Sequence, residues 1–242
     1  MINKKEIFIG GKHAVFETIK LNSNIINYIV CVEKNYLEIS NLLKNFNKSI
    51  KIQIWNVKKI DNIFDQKFAH QNYACSINGN VFKNYKDLKQ NTKEIVIFEE
   101  MYDFRNVGAM IRSGLAFGIK DFFFNKKNTT EKFDQIFKTS SGYVASVNIY
   151  KYSNLSSLIK SLKALDFWFF GLDGGIDSQS IYEMNWPKKT AIIIGNESFG
   201  LKKFTKSNCD YLIKIPISKD VESLNVSSAF AIAMAIKKRP QN

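Results

Sequence analysis

Hydrophobic and polar positions divide the chain into short elements of two periods. Residues 13–21 (HAVFETIKL) repeat at helical spacing, and residues 25–32 (IINYIVCV) form a β-branched run that reads as a strand. Residues 36–46 (YLEISNLLKNF) are amphipathic, which predicts a helix with Leu37, Leu42, Leu43 and Phe46 on one side. Residues 50–55 (IKIQIW) alternate as a half-buried strand does. A short helix over 57–64 and a strand over 73–78 complete this part. Residues 79–94 then turn polar and lose periodicity, as a linker does. The expected layout is a first unit over 1–80, a linker over 81–93 and a second domain over 94–242.

Strands and helices alternate in the second domain. Strands are expected at 94–99, 120–124, 146–150, 167–173, 190–195 and 211–217. Helices are expected across Arg112, at 131–138, at 155–165 and at 226–238. Continuous apolar strands such as TAIIIG, alternating with helices, predict an α/β fold whose mostly parallel sheet is covered on both faces. No internal repeat is visible.

Composition narrows the class. The 242 residues are 45% hydrophobic with 20 Phe and 10 Tyr, enough apolar surface for a packed core. The net charge of +13 is the footprint of a nucleic-acid partner. The lysines are scattered through the chain and the KKRP near its end, so the sequence marks no single patch. Cys31, Cys75 and Cys209 are far apart and odd in number, as expected in a reducing cytoplasm. His13 and His70 are the only histidines, and no Cys/His cluster has the spacing of a metal site. No apolar run reaches membrane-spanning length, and the start of the chain has too short a run for a signal peptide.

In open parallel sheets, ligands bind beyond the carboxyl ends of the strands. Three such ends carry unusual residues: EEMYDFRNVGAMIR (99–112), IGNESFGL (194–201) and IPISKDVESLNVSSA (215–229). Gly195 and Gly200 have the spacing of a phosphate-cradling loop, but Leu201 stands where its lysine belongs. No Gly-x-Gly-x-x-Gly fingerprint exists either, which argues against a dinucleotide enzyme. Simpler uses compete at each position: Glu197 as a helix cap, Ser223 or Asn225 as the cap of the last helix, and Arg112 as a surface residue. Yet Glu222, Ser223, Asn225 and Ser227 crowd one turn where a cap needs a single residue. At the first corner, Val107, Ala109, Met110 and Ile111 would face the core. Asn106 and Gly108 would then open a helix whose amides bind anions, with Arg112 placed to grip a phosphate.

In this order, NVGAMIR, IIIGNESFGL and IPISKDVESLNVSSA resemble the three motifs of the SpoU class of the SPOUT superfamily of RNA methyltransferases, over roughly residues 94–240. GGKHAVFETI (10–19) and FAHQNYACSI (68–77) resemble the bounds of the small L30e-like substrate-binding domain found in the members that methylate a guanosine ribose of 23S rRNA. His13, His70 and Gln71 would be structural residues of that unit.

The resemblance implies a C-terminal trefoil knot that binds S-adenosylmethionine, and transfer of its methyl group to a ribose 2′-hydroxyl. It places Ile194, Gly195, Asn196, Gly200, Leu201, Ile215, Pro216, Ser223, Leu224 and Val226 around the cofactor. It makes Arg112, Asn106, Glu197, Ser223 and Asn225 the catalytic set. It also implies 23S rRNA as partner, no metal and no membrane. A homodimer would form through the knotted domain, to which Phe230, Ile232 and Met234 of the last helix could contribute. A tRNA ribose methyltransferase and a non-catalytic RNA-binding protein are the alternatives.

Overall fold

The computed structural model describes residues 6–64, 69–78, 81–126 and 133–239. Gly79 and Asn80 at the start of the polar stretch, residues 131 and 132 of an expected helix, and Phe68 and Pro240 of the quoted segments lie outside the described residues. The chain separates into two compact units, one of residues 1–82 and 132–146, the other of 83–131 and 147–242.

The first unit runs β1 (Ile7–Gly10), α1 (Lys12–Asn22), β2 (Ile26–Cys31), α2 (Tyr36–Asn45), β3 (Ile52–Ile54), α3 (Val57–Asp61) and β4 (Tyr73–Ile77). Its sheet has the order β1-β4-β2-β3, with β4 antiparallel to both neighbours and β3 parallel to β2. One face carries Ile9, Ile29, Cys31, Tyr73, Cys75 and Ile77, all buried. Two helices lie on that face: Phe16 of α1 meets the Tyr73 ring edge-on at 5.5 Å, and Glu38 of α2 accepts a hydrogen bond from the Tyr73 hydroxyl. The stripe that α2 buries is Ile39 and Leu43; of the expected stripe Leu43 is buried and Leu42 half-buried, while Ile39 was not expected. Leu37 is 71% exposed and Phe46 42% exposed. The expected stripe counted hydrophobicity alone, and the one isoleucine among polar neighbours fixes the inward side.

The second unit begins inside the expected linker. Phe82–Asn84 forms β5, the edge strand of an eight-stranded sheet, and Tyr85 and Leu88 pack into that unit's core. A three-residue polar edge strand is too short to show a period. There follow β6 (Glu94–Phe98), α4 (Phe104–Ala116) and β7 (Asp121–Asn125). The chain then supplies α5 (Phe133–Thr139) and a 3₁₀ turn to the first unit before returning. Residues 132–146 were expected within the C-terminal domain, yet α5 packs on β1 and α1. Gly142, at φ +83°, lies so close to α1 that an added Cβ would sit 2.7 Å from the Ala14 carbonyl oxygen.

The second unit continues with β8 (Asn148–Tyr152), α6 (Leu155–Lys163), β9 (Trp168–Leu172), β10 (Gln179–Ser180), β11 (Thr190–Ile194), α7 (Lys203–Asn208), β12 (Tyr211–Lys214) and α8 (Val226–Lys237). The sheet order is β10-β12-β9-β11-β6-β7-β8-β5, and every pair from β10 to β8 is parallel. This is the mostly parallel α/β sheet expected. Its central strands are apolar throughout, with Ile95, Val96, Ile97, Phe122, Phe123, Phe169, Phe170 and Ile192–Ile194 all 0–1% exposed. α4 packs against α8. Gly114 lets α4 lie close to the sheet, since an added Cβ would sit 2.9 Å from the Phe122 ring.

At the amino ends of the strands, Glu94 binds both Lys237 and Lys238 from the last turn of α8. The Lys237 side chain is 7% exposed and lies 5.1 Å from the centre of the Trp186 ring. Burial pushes the Glu94 carboxyl up, but the hydrogen bonds from the two ammonium groups outweigh it and hold the group below its ordinary value. Glu94→Gln would leave Lys237 buried without its counter-charge and should cost about 3 kcal/mol, read as a lower melting temperature near neutral pH. A folded value below the unfolded one means that this stability is present above the unfolded carboxylate pKa and lost as pH falls through the folded one. The gap in melting temperature between wild type and Glu94→Gln should therefore close below about pH 4.

Candidate functional site

Because β12, β9, β11 and β6 are parallel neighbours, their carboxyl ends emerge along one edge of the sheet. The three corners singled out from the sequence follow β6, β11 and β12, so the fold brings them together. A fourth, which follows β9, stands between two of them and was missed.

The β6 corner begins with Glu99, whose amide donates to the Ile194 carbonyl at 2.8 Å. Its carboxylate, 5% exposed, accepts from the Lys202 amide at 3.1 Å and from the Thr205 hydroxyl, which ties α7 to this corner. Asp103 caps α4 by accepting from the Arg105 amide at 2.9 Å. The same carboxylate takes hydrogen bonds from the Arg105 side chain, which hold it below the usual carboxylate range. This revises the expected opening of the helix. α4 starts two residues before Asn106, Gly108 lies buried in its second turn, and a carboxylate of the chain already occupies the end of the helix. Any phosphate must then be gripped by side chains, not by free amides.

Asn106 is half-buried, and its Oδ1 accepts from Nδ2 of Asn225 at 3.2 Å. This bond joins the first corner to the third across 119 residues. Arg112 is exposed on α4. Six residues along a helix separate it from Asn106 by about 9 Å of rise and about 120° of turn, so the two groups point different ways from one rod.

The β11 corner is a closed loop. Asn196 and Gly200 exchange backbone hydrogen bonds at 3.0 and 2.9 Å, and Gly200 sits at φ +64°. The Asn196 side chain accepts from the amides of Ser198 and Phe199 and donates to the Glu100 carbonyl at 3.0 Å. Gly195 is buried beneath the loop, where an added Cβ would meet Gly200 backbone at 2.3 Å. Glu197 is no helix cap. Its Oε1 accepts from the Asp103 amide at 3.3 Å, a second tie to the β6 corner. Ile194 and Leu201 are 0% and 3% exposed, so their side chains belong to the core and only their backbone can reach a ligand.

In the β12 corner, Asn225 is the cap of α8. Its Oδ1 accepts from the amides of Ser227 and Ser228 at 2.9 and 3.3 Å. Ile215, Leu224 and Val226 are half-buried, Pro216, Glu222 and Ser223 exposed, and Ile217 and Val221 are 40% and 51% exposed.

The β9 corner is centred on Asp173. Its carboxylate binds Lys206 at 2.8 Å and the Gly175 amide at 3.3 Å, and its backbone amide donates to the Ile213 carbonyl. Lys214 reaches the carbonyls of Gly175 and Ile176. A Gly-Gly pair after an aromatic run was the available signal.

The SpoU rRNA Methylase family model matches residues 93–235, the whole span of the four corners. The chain belongs to this family. A SpoU relative from Borreliella burgdorferi, named an uncharacterized tRNA/rRNA methyltransferase, is 33% identical over 85% of this chain and 93% of its own. The Xylella fastidiosa 23S rRNA (guanosine-2′-O-)-methyltransferase RlmB is 26% identical over 98% of this chain and 99% of its own. Among solved SpoU structures, AviRb of Streptomyces viridochromogenes, determined with AdoMet, has a TM-score of 0.80 at 16% identity and covers 97% of this chain and 90% of its own. The A. aeolicus TrmH/SpoU tRNA modifying enzyme has a TM-score of 0.54 at 24% identity, covering 62% of this chain and 77% of its own. As a SpoU family member the protein is an RNA methyltransferase. Among the described residues no group of His, Cys, Asp or Glu could hold a metal ion, and no helix is long and apolar enough to cross a membrane.

Asn225 combines two roles that substitutions can separate. Asn225→Ser keeps a capping oxygen but is too short to reach Asn106, and should leave the melting temperature nearly unchanged. Asn225→Ala should cost about 1 kcal/mol. Both should weaken cofactor binding, measured by titration calorimetry with S-adenosylmethionine, because both free the first corner from the third.

Proposed function

We propose that the protein transfers a methyl group from S-adenosylmethionine to the ribose 2′-hydroxyl of a guanosine in 23S rRNA, as a cytoplasmic homodimer whose β11-to-α8 region is a trefoil knot. The observation that carries this reading is the hydrogen bond between Asn106 and Asn225, which joins two motif corners at the edge where parallel sheets bind ligands. The residues fit the cofactor. An adenosyl group needs aliphatic walls and backbone donors and acceptors, and the half-buried Ile215, Leu224 and Val226 stand beside irregular backbone at 215–225. Gly195, Asn196, Gly200 and the backbone of Ile194 and Leu201 would hold it from the neighbouring loop, with the backbone of Pro216 on its own side and Ser223 at the rim.

The cofactor supplies an electrophilic methyl on a sulfonium, a good leaving group that needs no metal. The chain must supply alignment, worth up to about 7–11 kcal/mol, and a path for the hydroxyl proton. Asn106, Glu197 and Asn225 stiffen the corners by bonding them to one another. Arg112 is the cationic group for the RNA. A guanidinium does not surrender its proton near neutral pH, so Arg112 orients the target phosphate and stabilises the developing alkoxide, and that phosphate can relay the proton.

The choice of ribosomal RNA rests on extent. The 23S enzyme aligns over nearly the whole chain, first unit included, whereas the tRNA enzyme covers 62% of it. For the homodimer, α8 has less to offer than its sequence suggests. Phe230 and Met234 are fully buried in this chain's own core, and Ile232 is 38% exposed.

Transcripts of 23S rRNA domains and of tRNA, incubated with methyl-labelled cofactor and mapped for ribose methylation, test the substrate. Labelled guanosine in the 23S transcript is expected, and label confined to tRNA would overturn the choice. Arg112→Lys should lower kcat at least about 100-fold with cofactor affinity unchanged, because the planar fork of the guanidinium is lost. Near-full turnover in that variant would refute the proposed role.

A further inference from the structure

The two faces of the first unit's sheet are covered unequally. α1 and α2 lie on one, as described above. The other carries Phe8, Ser76, Tyr28, Val30, Ala74, Gln53 and Trp55, which alternate with the buried set in the strand registers. Over Val30 and Ala74 lies Ile60 of the five-residue α3, with Ile63 and Phe64 after it. Tyr28 and Trp55 pack against the edge of that cover, and with Phe8 each remains only half-buried. Their ring centres are 6.2 to 6.5 Å apart, and their planes meet at 72°, 51° and 48°. No pair stacks face to face, so what each ring leaves exposed beyond its contact with the cover is not taken up by its neighbours.

The surroundings are cationic. Lys59 holds its ammonium 3.9 Å from the centre of the Trp55 ring, and Lys51 and Lys58 are exposed nearby in sequence. Among the described residues Glu6 sets a carboxylate against the cluster, accepting from the Tyr28 hydroxyl at 3.1 Å. Trp55 is fixed by its indole N–H, which donates to Gln53 at 3.1 Å, while Lys59 rides on a flexible stem.

We infer that the Phe8, Tyr28 and Trp55 face is a stacking platform for unpaired bases of the substrate RNA, with Lys59 and Lys51 placed to take the adjoining phosphates. This rests on the proposed RNA methyl transfer and adds to it a site on the other unit. Aromatic rings beside mobile lysines are what single-stranded RNA needs, because every base has a π-face and every linkage a charge. An arriving base displaces the Lys59 ammonium from the indole, and the ammonium moves to a phosphate. The platform reads exposure of bases rather than their identity, so it selects an opened loop over a duplex.

The test uses the full chain, a single-stranded uridine octamer and a 16-base-pair RNA duplex. Wild type should bind the octamer with quenching of tryptophan fluorescence. Trp55→Leu, which keeps apolar cover over Val30, should lose affinity for the octamer about tenfold or more and should bind the duplex unchanged. Trp55→Phe should restore most of that affinity. With the 23S transcripts, Trp55→Leu should raise KM and leave kcat and cofactor affinity alone. A folded Trp55→Leu protein, by its melting curve, with unchanged octamer affinity would overturn the inference, as would a shift in sedimentation mass with no change in RNA binding, which would make the face a contact between copies of this chain. Absence of methyl transfer by wild type on any transcript, with octamer binding intact and sensitive to Trp55, would instead sink the catalytic reading and leave the platform standing.

Discussion

Everything at the site depends on parallel pairing among β12, β9, β11 and β6. An antiparallel strand anywhere in that group would send its motif to the far edge of the sheet. Parallel strands must be buried on both faces, which explains why Ile, Val and Phe fill them without alternation. The same burial makes the strands rigid, so segments more than 100 residues apart in sequence meet with fixed spacing. β11 lies between β6 and β9 although it follows both in the chain, and so its loop emerges between theirs.

Polar side chains then lock what the sheet has brought together. Glu197 reaches the β6 corner, Asn196 does the same through Glu100, and Asn225 holds both Asn106 and the start of α8. Asn196 and Asn225 each commit both side-chain groups to this, the oxygen to nearby amides and the nitrogen to another corner. Glycine has the complementary task. Gly195 leaves room for the loop that folds back over it, and Gly114 lets α4 lie close to the sheet. The site is stiff because hydrogen bonds tie its corners and small residues bring them near.

Much of this architecture was visible in the residues themselves. The apolar strands, the long helices and three of the corners could be read from period and from polar residues in unexpected places, since burial on both faces leaves a strong pattern. What escaped had weak patterns. β5 is three residues long, and two of them are polar. The β9 corner consists of Asp173 and two glycines, whose importance comes from standing between better-marked neighbours. Asp103 at the head of α4 could not be told from an ordinary acidic residue, and so the start of the helix was placed too late. The inward side of α2 depends on Ile39, one residue against several larger apolar ones. The partition of 132–146 had no local signal, because Phe133, Ile136 and Phe137 would suit the core of either unit.

That partition limits how the protein can be cut and recombined. The chain passes between its two units three times, near residues 82, 131 and 146, so neither unit is a continuous stretch of gene. Deleting the first 82 residues would strip the partners from a helix that buries two phenylalanines and an isoleucine, and would leave a greasy flap on an otherwise finished catalytic sheet.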